Sequence, residues 1–173
     1  MTNFISWNCR GFKNKRDEIK DIILDYKPIC FAFQETYLKL TDSVTIRDYK
    51  CFRKDFHHAV KATGGVSLLI SNKFPCTPVS LKTNIQAIAA QIHVHQLITT
   101  CTIYIPPNDT IHQQDLDNII SQLPTPFVIL GDFNAHNPLW GSIDTNIHGQ
   151  LIEDFINNNS LCLFKQWRQY IFS

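Results

Sequence analysis

Residues 126–130 read Pro-Phe-Val-Ile-Leu, an apolar run with the character of a buried strand, and Gly131, Asp132 and Asn134 follow it. Gly131 is expected to break the strand and leave Asp132 and Asn134 at its C-terminal end, where open α/β sheets place their chemistry. A carboxylate and a carboxamide two residues apart reach one ligand, or one water poised to attack it. That pairing suits metal-assisted hydrolysis of a phosphate ester. The same two residues also suit an Asx turn, so the pair needs company.

Three fragments supply it. Residues 3–8 form a short strand that ends at Asn8, just before a turn at Gly11. Residues 29–34 form an apolar strand that runs into Glu35. Residues 103–105 bring Tyr104 to the break at Pro106-Pro107. Each residue has a plainer reading as well: a turn cap for Asn8, an exposed strand-end charge for Glu35, an ordinary strand aromatic for Tyr104. His136 reads equally as a substrate contact and as a loop residue packed near Trp140.

The elements that must position these residues are legible from periodicity. Ile19, Ile22, Ile23 and Tyr26 form one face of a helix over about 15–27, with Asn14 as N-cap and Pro28 as stop. Residues 49–53 and 65–71 read as strands joined by a polar loop with His57, His58 and Lys61. Residues 85–95 and 97–105 read as a hairpin turning at Gln96. Asn108 and Asp109 are expected to open a helix carrying Leu116, Ile119, Ile120 and Leu123. Leu151, Ile152, Phe155 and Ile156 mark another, stopped by residues 157–159. Strands in hairpin-like runs with few helices between them disfavour a doubly wound parallel sheet.

Composition agrees with a globular enzyme domain: 173 residues, 44% hydrophobic and 18% charged. A net charge of +1 gives no broad basic field, so nucleic acid would need a local patch. No apolar run approaches the ~18 residues that span a membrane. The chain enters a strand at once, so no secretory signal and no secretion are expected. The six cysteines are scattered without a C-x-x-C pair, and they read as small buried hydrophobes in a reducing compartment. Cys30, Cys101 and Cys162 lie in apolar runs with strand character. His93 and His95 would share a strand face, but a third zinc ligand at suitable spacing is lacking.

Taken in order, Asn8 in Trp-Asn-Cys-Arg-Gly, Glu35 in Gln-Glu-Thr, Gly64-Gly65-Val66, Tyr104 before Pro-Pro, and Gly-Asp-Phe-Asn at 131–134 resemble the endonuclease/exonuclease/phosphatase superfamily. Residues 131–141, Gly-Asp-Phe-Asn-Ala-His-Asn-Pro-Leu-Trp-Gly, are similar to the endonuclease domain of jockey-like non-LTR retrotransposon polyproteins. The resemblance covers roughly residues 3–164 and places the domain at 1–164. It implies an α/β sandwich of the deoxyribonuclease I type. It also implies a Mg²⁺-dependent endonuclease, with Mn²⁺ as a substitute, that nicks target DNA to prime reverse transcription. Glu35 would ligate the metal and Asn8 would set the metal or phosphate. Tyr104 would meet the scissile phosphate, Asp132 would orient or deprotonate the attacking water, and Asn134 would hold the same phosphate or water. Arg10, at a place where some relatives carry an acid, together with His136 and Trp140, would touch substrate. The implied partner is DNA, with a reverse transcriptase downstream in the full-length element and no membrane or evident protein partner. The implied location is intracellular, and nuclear when active.

Relatives continue with a strand carrying an Asp and a Ser-Asp-His motif, which this sequence lacks. A truncated and impaired copy is therefore expected, with the second sheet incomplete and a strand edge or apolar surface exposed. Residues 165–173 are expected to be an atypical tail read out of frame. Alternatives are a sugar or inositol phosphatase of the same superfamily, which residues 138–141 argue against, and a non-catalytic DNA-binding remnant that keeps Arg10, Lys13, Lys15 and Arg16.

Overall fold

β1 (Phe4–Asn8), α1 (Arg16–Tyr26) and β2 (Cys30–Gln34) form a β-α-β unit in which β1 and β2 run parallel. Parallel neighbours need a crossover, and α1 supplies it by burying Ile19 and Ile22 against the sheet. Lys27, at φ 44°, closes the helix by donating its N–H to the Ile23 carbonyl at 2.9 Å. Asn14 is not the cap. The chain enters α1 through a 3₁₀ turn, Phe12–Lys15, and Lys15 takes the cap position with no side-chain bond. Burial of Phe12 accounts for the extra turn, since it draws that segment onto the core. The computed structural model describes residues 3–58 and 61–163; the expected tail at 165–173 lies outside the described residues.

β3 (Tyr49–Lys54) is followed by a small hairpin, β4 (His57–His58) and β5 (Lys61–Ala62), where a loop was expected. β6 (Val66–Ser71) then pairs antiparallel with both β2 and β3. β7 (Cys76–Val79) has no sequence signal because Pro78 interrupts it. Proline is tolerated there since β7 is an edge strand. β8 (Gln86–His93) and β9 (Leu97–Tyr104) form the expected hairpin, but His95 falls in its turn, so His93 and His95 do not share a strand face.

α2 (Gln113–Ser121) begins four residues beyond Asp109. The Asp115 carboxylate accepts the His112 N–H at 2.8 Å and sets the start there. α2 crosses over to β10 (Phe127–Asp132), which runs parallel to β9. Gly131 does not break this strand. A Cβ at Gly131 would stand 2.2 Å from the Ile103 carbonyl oxygen, so glycine is what lets β10 approach β9 this closely. After a 3₁₀ turn at Pro138–Trp140, α3 (Ile147–Asn158) buries Ile152 and Phe155 and ends where expected.

Two mixed four-stranded sheets result, in the orders β1-β2-β6-β3 and β10-β9-β8-β7. They stack with small side chains between them: Cys30, Ala32 and Ala90 beside Leu68, Ile70 and Ile92. α1 covers one outer face over Phe31 and Phe33, while α2 and α3 cover the other over Cys101 and Ile103. Among the described residues, no strand pairs with the outer edge of β10. No described helix is long and apolar enough to cross a membrane. The six cysteines are free, and Cys9, Cys30 and Cys101 are buried. Cys162 is exposed, and residues 161–163 after α3 form no strand.

Candidate active site

The parallel strands of the two β-α-β units end on one rim. β1 carries Asn8, β2 leads into Glu35, β9 ends at Tyr104 and β10 at Asp132. Strand alternation turns Ser6, Gln34 and Thr102 towards the space between the sheets. There Gln34 Nε2 donates to Thr102 Oγ1 at 2.8 Å and to Ser6 Oγ at 3.1 Å. This buried amide ties one sheet to the other directly beneath the rim.

The Asn8 side chain joins the two halves. Its Nδ2 donates to Glu35 Oε1 at 2.7 Å and to Asp132 Oδ2 at 2.6 Å. One amide thus holds two carboxylates 97 positions apart in sequence (132 − 35). Tyr104 Oη donates to the same Glu35 Oε1 at 2.9 Å, and Tyr37 Oη donates to Oε2. Burial raises the Glu35 pKa, but the bonds from Asn8, Tyr37 and Tyr104 and the Arg10 charge outweigh it and hold the carboxyl below the usual glutamate range. Burial and the Glu35 carboxylate push the Tyr104 hydroxyl well above its ordinary value, so it stays a donor at neutral pH.

Asp132 Oδ1 accepts the Asn134 N–H at 3.0 Å, so the Asx turn is present together with the convergent site. Asn134 has φ 46°, a left-handed conformation that asparagine tolerates. Its Nδ2 donates to the Ile105 carbonyl at 2.9 Å, leaving Oδ1 and one amide hydrogen for a ligand. Arg10 is exposed at φ 45°, and its N–H reaches Asn8 Oδ1 at 3.3 Å.

His136 and Trp140 sit on the outer side of the loop. His136 is exposed and faces Asp144 at 3.5 Å. Trp140 donates its indole N–H to the Ala135 carbonyl at 2.8 Å and lines an open cleft of about 810 Å³ shared with Asn8, Asp132 and Asn134. Phe155, Ile156 and Leu161 give that cleft an apolar far wall.

Two residues of this region escaped the reading of the sequence. Tyr37 carries no local signal. Asn146 was findable as a polar residue ahead of the 147–158 helix. Its Oδ1 accepts the N–H groups of Gly149 at 2.7 Å and His136 at 2.9 Å, and its Nδ2 donates to the Asn134 carbonyl at 2.9 Å. A Cβ at Gly149 would stand 1.7 Å from the His136 carbonyl oxygen. The N-terminus of α3 is therefore seated directly on the loop that carries Asn134.

No described cluster combines three or more His, Cys, Asp or Glu side chains. Mg²⁺ does not require one, because it keeps several waters and binds through one or two carboxylates. The hard oxygen donors of Glu35, Asp132 and Asn8 fit that chemistry.

Comparison with known proteins agrees with the fold. Residues 98–170 match the family model described as endonuclease-reverse transcriptase. The chain is 24% identical over 156 residues to the RNA-directed DNA polymerase from mobile element jockey of Drosophila melanogaster, covering 87% of this chain. It is also 24% identical over 159 residues to the probable RNA-directed DNA polymerase from transposon X-element of that species, covering 90% of this chain. The chain spans only 17% of the length of either relative. Among solved structures, the endonuclease domain of TRAS1, a telomere-specific non-LTR retrotransposon, superposes with a TM-score of 0.77 at 17% identity, covering 96% of this chain and 74% of that one. An AP endonuclease from Archaeoglobus fulgidus superposes with a TM-score of 0.60 at 14% identity, covering 91% and 71%.

Proposed function

We propose that this chain, an endonuclease–reverse transcriptase domain of the endonuclease/exonuclease/phosphatase superfamily homologous to the jockey and X-element non-LTR retrotransposon polymerases, nicks DNA and leaves a 3′-hydroxyl that primes reverse transcription. The supporting observation is the pair of carboxylates, Glu35 and Asp132, bridged by the single amide of Asn8 at a four-strand rim. The domain spans residues 1–164, and its partner is DNA. In the full-length element a reverse transcriptase follows it, and it acts in the nucleus, where chromosomal DNA is.

Glu35, with Asn8, would hold Mg²⁺, which would supply positive charge against the phosphate. Asp132 accepts the proton of the attacking water. The water oxygen bonds to phosphorus, the bond from phosphorus to the 3′-oxygen breaks, and that oxygen takes a proton from solvent to become the 3′-hydroxyl. Tyr104 keeps its proton and donates towards the charge that builds on the phosphate. Asn134, fixed by Ile105 and Asn146, offers its free Oδ1 to the water or its remaining N–H to the phosphate. Arg10, exposed beside Asn8, meets the DNA backbone, Trp140 lines the cleft, and His136, exposed on the same loop, meets the DNA outside it.

The test is plasmid nicking by the 173-residue protein with Mg²⁺, run beside a gel-shift assay. The expected result is slow nicking, since the sequence lacks the Ser-Asp-His motif, with open-circular product that Glu35→Ala or Asp132→Ala removes. Turnover of small phosphate monoesters without nicking, or DNA binding without turnover, overturns the reading.

A further inference from the structure

Tyr37 lies beside the site on an unusual backbone. Its φ is 50°, a left-handed conformation uncommon for an aromatic residue, and its side chain is 39% exposed. The surrounding chain holds it there. Tyr37 N–H donates to the Gly64 carbonyl at 2.9 Å and Thr36 N–H to the Gly65 carbonyl at 3.2 Å. Gly65 is anchored in turn, its N–H donating to Gln86 Oε1 at 2.7 Å. The ring also packs beside Gly11, where a Cβ would stand 3.6 Å from Tyr37 Cδ2. The hydroxyl therefore reaches Glu35 Oε2 from a fixed backbone.

A carboxylate has about four acceptor sites. Oε1 of Glu35 takes two donors, Asn8 Nδ2 and Tyr104 Oη, and is filled. Oε2 takes one, Tyr37 Oη. The acceptor site left open is on Oε2. We propose that Tyr37 is a positioning residue for a divalent cation: its hydroxyl turns the Glu35 carboxylate so that the open Oε2 lone pair faces the cleft. This rests on the assignment of Glu35 as a cation ligand. Without the hydroxyl, Oε2 loses the donor that fixes its direction, and the cation loses its preset oxygen. Partners of this kind are worth about 10–100-fold in metal affinity, and the exposure of Tyr37 sets the expectation at about tenfold.

The experiment is calorimetric titration of the full chain with Mn²⁺ and with Mg²⁺, for the unaltered protein, Tyr37→Phe and Glu35→Gln. Metal-free thermal unfolding of each is measured alongside. Tyr37→Phe is expected to weaken Mn²⁺ binding about tenfold with the metal-free Tm unchanged, and Glu35→Gln to weaken it far more. The Mg²⁺ concentration for half-maximal nicking rises by the same factor, while the rate at saturating Mg²⁺ stays within about twofold. If Glu35→Gln loses the metal but Tyr37→Phe binds it as the unaltered chain does, the role of Tyr37 is overturned alone. A fall in metal-free Tm that accounts for the lost affinity makes Tyr37 structural and also overturns it. If the unaltered chain takes up no Mn²⁺, or Glu35→Gln keeps its affinity, the assignment of Glu35 fails and Tyr37 with it.

Discussion

The two β-α-β units that meet at the cleft share a topology and differ in burial. In the first, β2 lies between β1 and β6 with all five residues buried, over an aromatic core of Phe31 and Phe33 at 4.1 Å between ring centroids. In the second, β10 is an edge strand with no fully buried residue, over an aliphatic core of Ile103, Leu116 and Ile119. The candidate site residues follow that difference. Glu35 leaves the interior strand and is gripped by three side-chain donors. Asp132 ends the edge strand and holds two hydrogen bonds, one on each oxygen. A carboxylate with few open acceptor sites suits a fixed ligand. One with an open site on each oxygen, facing the cleft, suits a group that must receive a proton from a mobile water.

Removing one carboxylate from each half tests this division most strongly. Asp132→Asn is expected to lower the nicking rate ~10²–10⁴-fold at saturating Mg²⁺, as loss of a positioned base does. Glu35→Gln is expected to lower it mainly by loss of metal, so that raising Mg²⁺ partly restores nicking. Mg²⁺ titrations of the nicking rate separate the two, and identical behaviour of the variants breaks the comparison.

Core truncation comes next in size. Phe31→Ala is expected to destabilise the fold by about 3–5 kcal/mol and Leu116→Ala by about 2–5 kcal/mol, measured by urea unfolding. The first should loosen Glu35 and weaken Mn²⁺ binding. The second should leave Mn²⁺ affinity closer to that of the unaltered chain.

Smaller effects probe the edge. Gly131→Ala pushes a methyl group against the Ile103 carbonyl oxygen at 2.2 Å and is expected to cost about 1–3 kcal/mol, with β10 displaced from β9. Asn146→Ala removes the cap of α3 and is expected to cost about 0.5–2 kcal/mol. Because Asn146 also holds the Asn134 carbonyl, nicking should fall further than stability alone explains.

The smallest effect is in pH. The folded pKa of Glu35 lies below its ordinary value of 4.5, so its contribution to stability is fully present above 4.5 and is lost as pH falls through the lowered value. Thermal unfolding of the unaltered chain and of Glu35→Gln should therefore keep a constant Tm difference through the neutral range. Below pH 4.5 the unaltered chain should lose stability relative to the variant.

Much of this was legible along the chain. A polar residue ending an apolar run marked Asn8 and Glu35 as strand ends, the Pro106-Pro107 break marked Tyr104, and the expected break at Gly131 marked Asp132, before any pairing was known. Helical periodicity likewise located α1, the apolar face of α2, and α3. Those signals are local because burial of one face must repeat with the period of the element.

What the tertiary structure decided has no local period. Gly131 reads as a breaker in isolation, and only the approach of β9 makes it a strand residue. Cys162 follows an apolar residue yet is exposed, and among the described residues no strand pairs with its segment. Tyr37 reaches Glu35 because the Gly64–Gly65 turn, far off in sequence, fixes its backbone. The bridge from Asn8 to both carboxylates depends on two sheets meeting at one rim, with Gln34 and Thr102 bonded between them. The sequence by itself determined which residues stand at strand ends, since alternation and turns act over a few residues. Which ends meet was decided only by sheet order and stacking, since those depend on contacts between segments 68 to 124 positions apart.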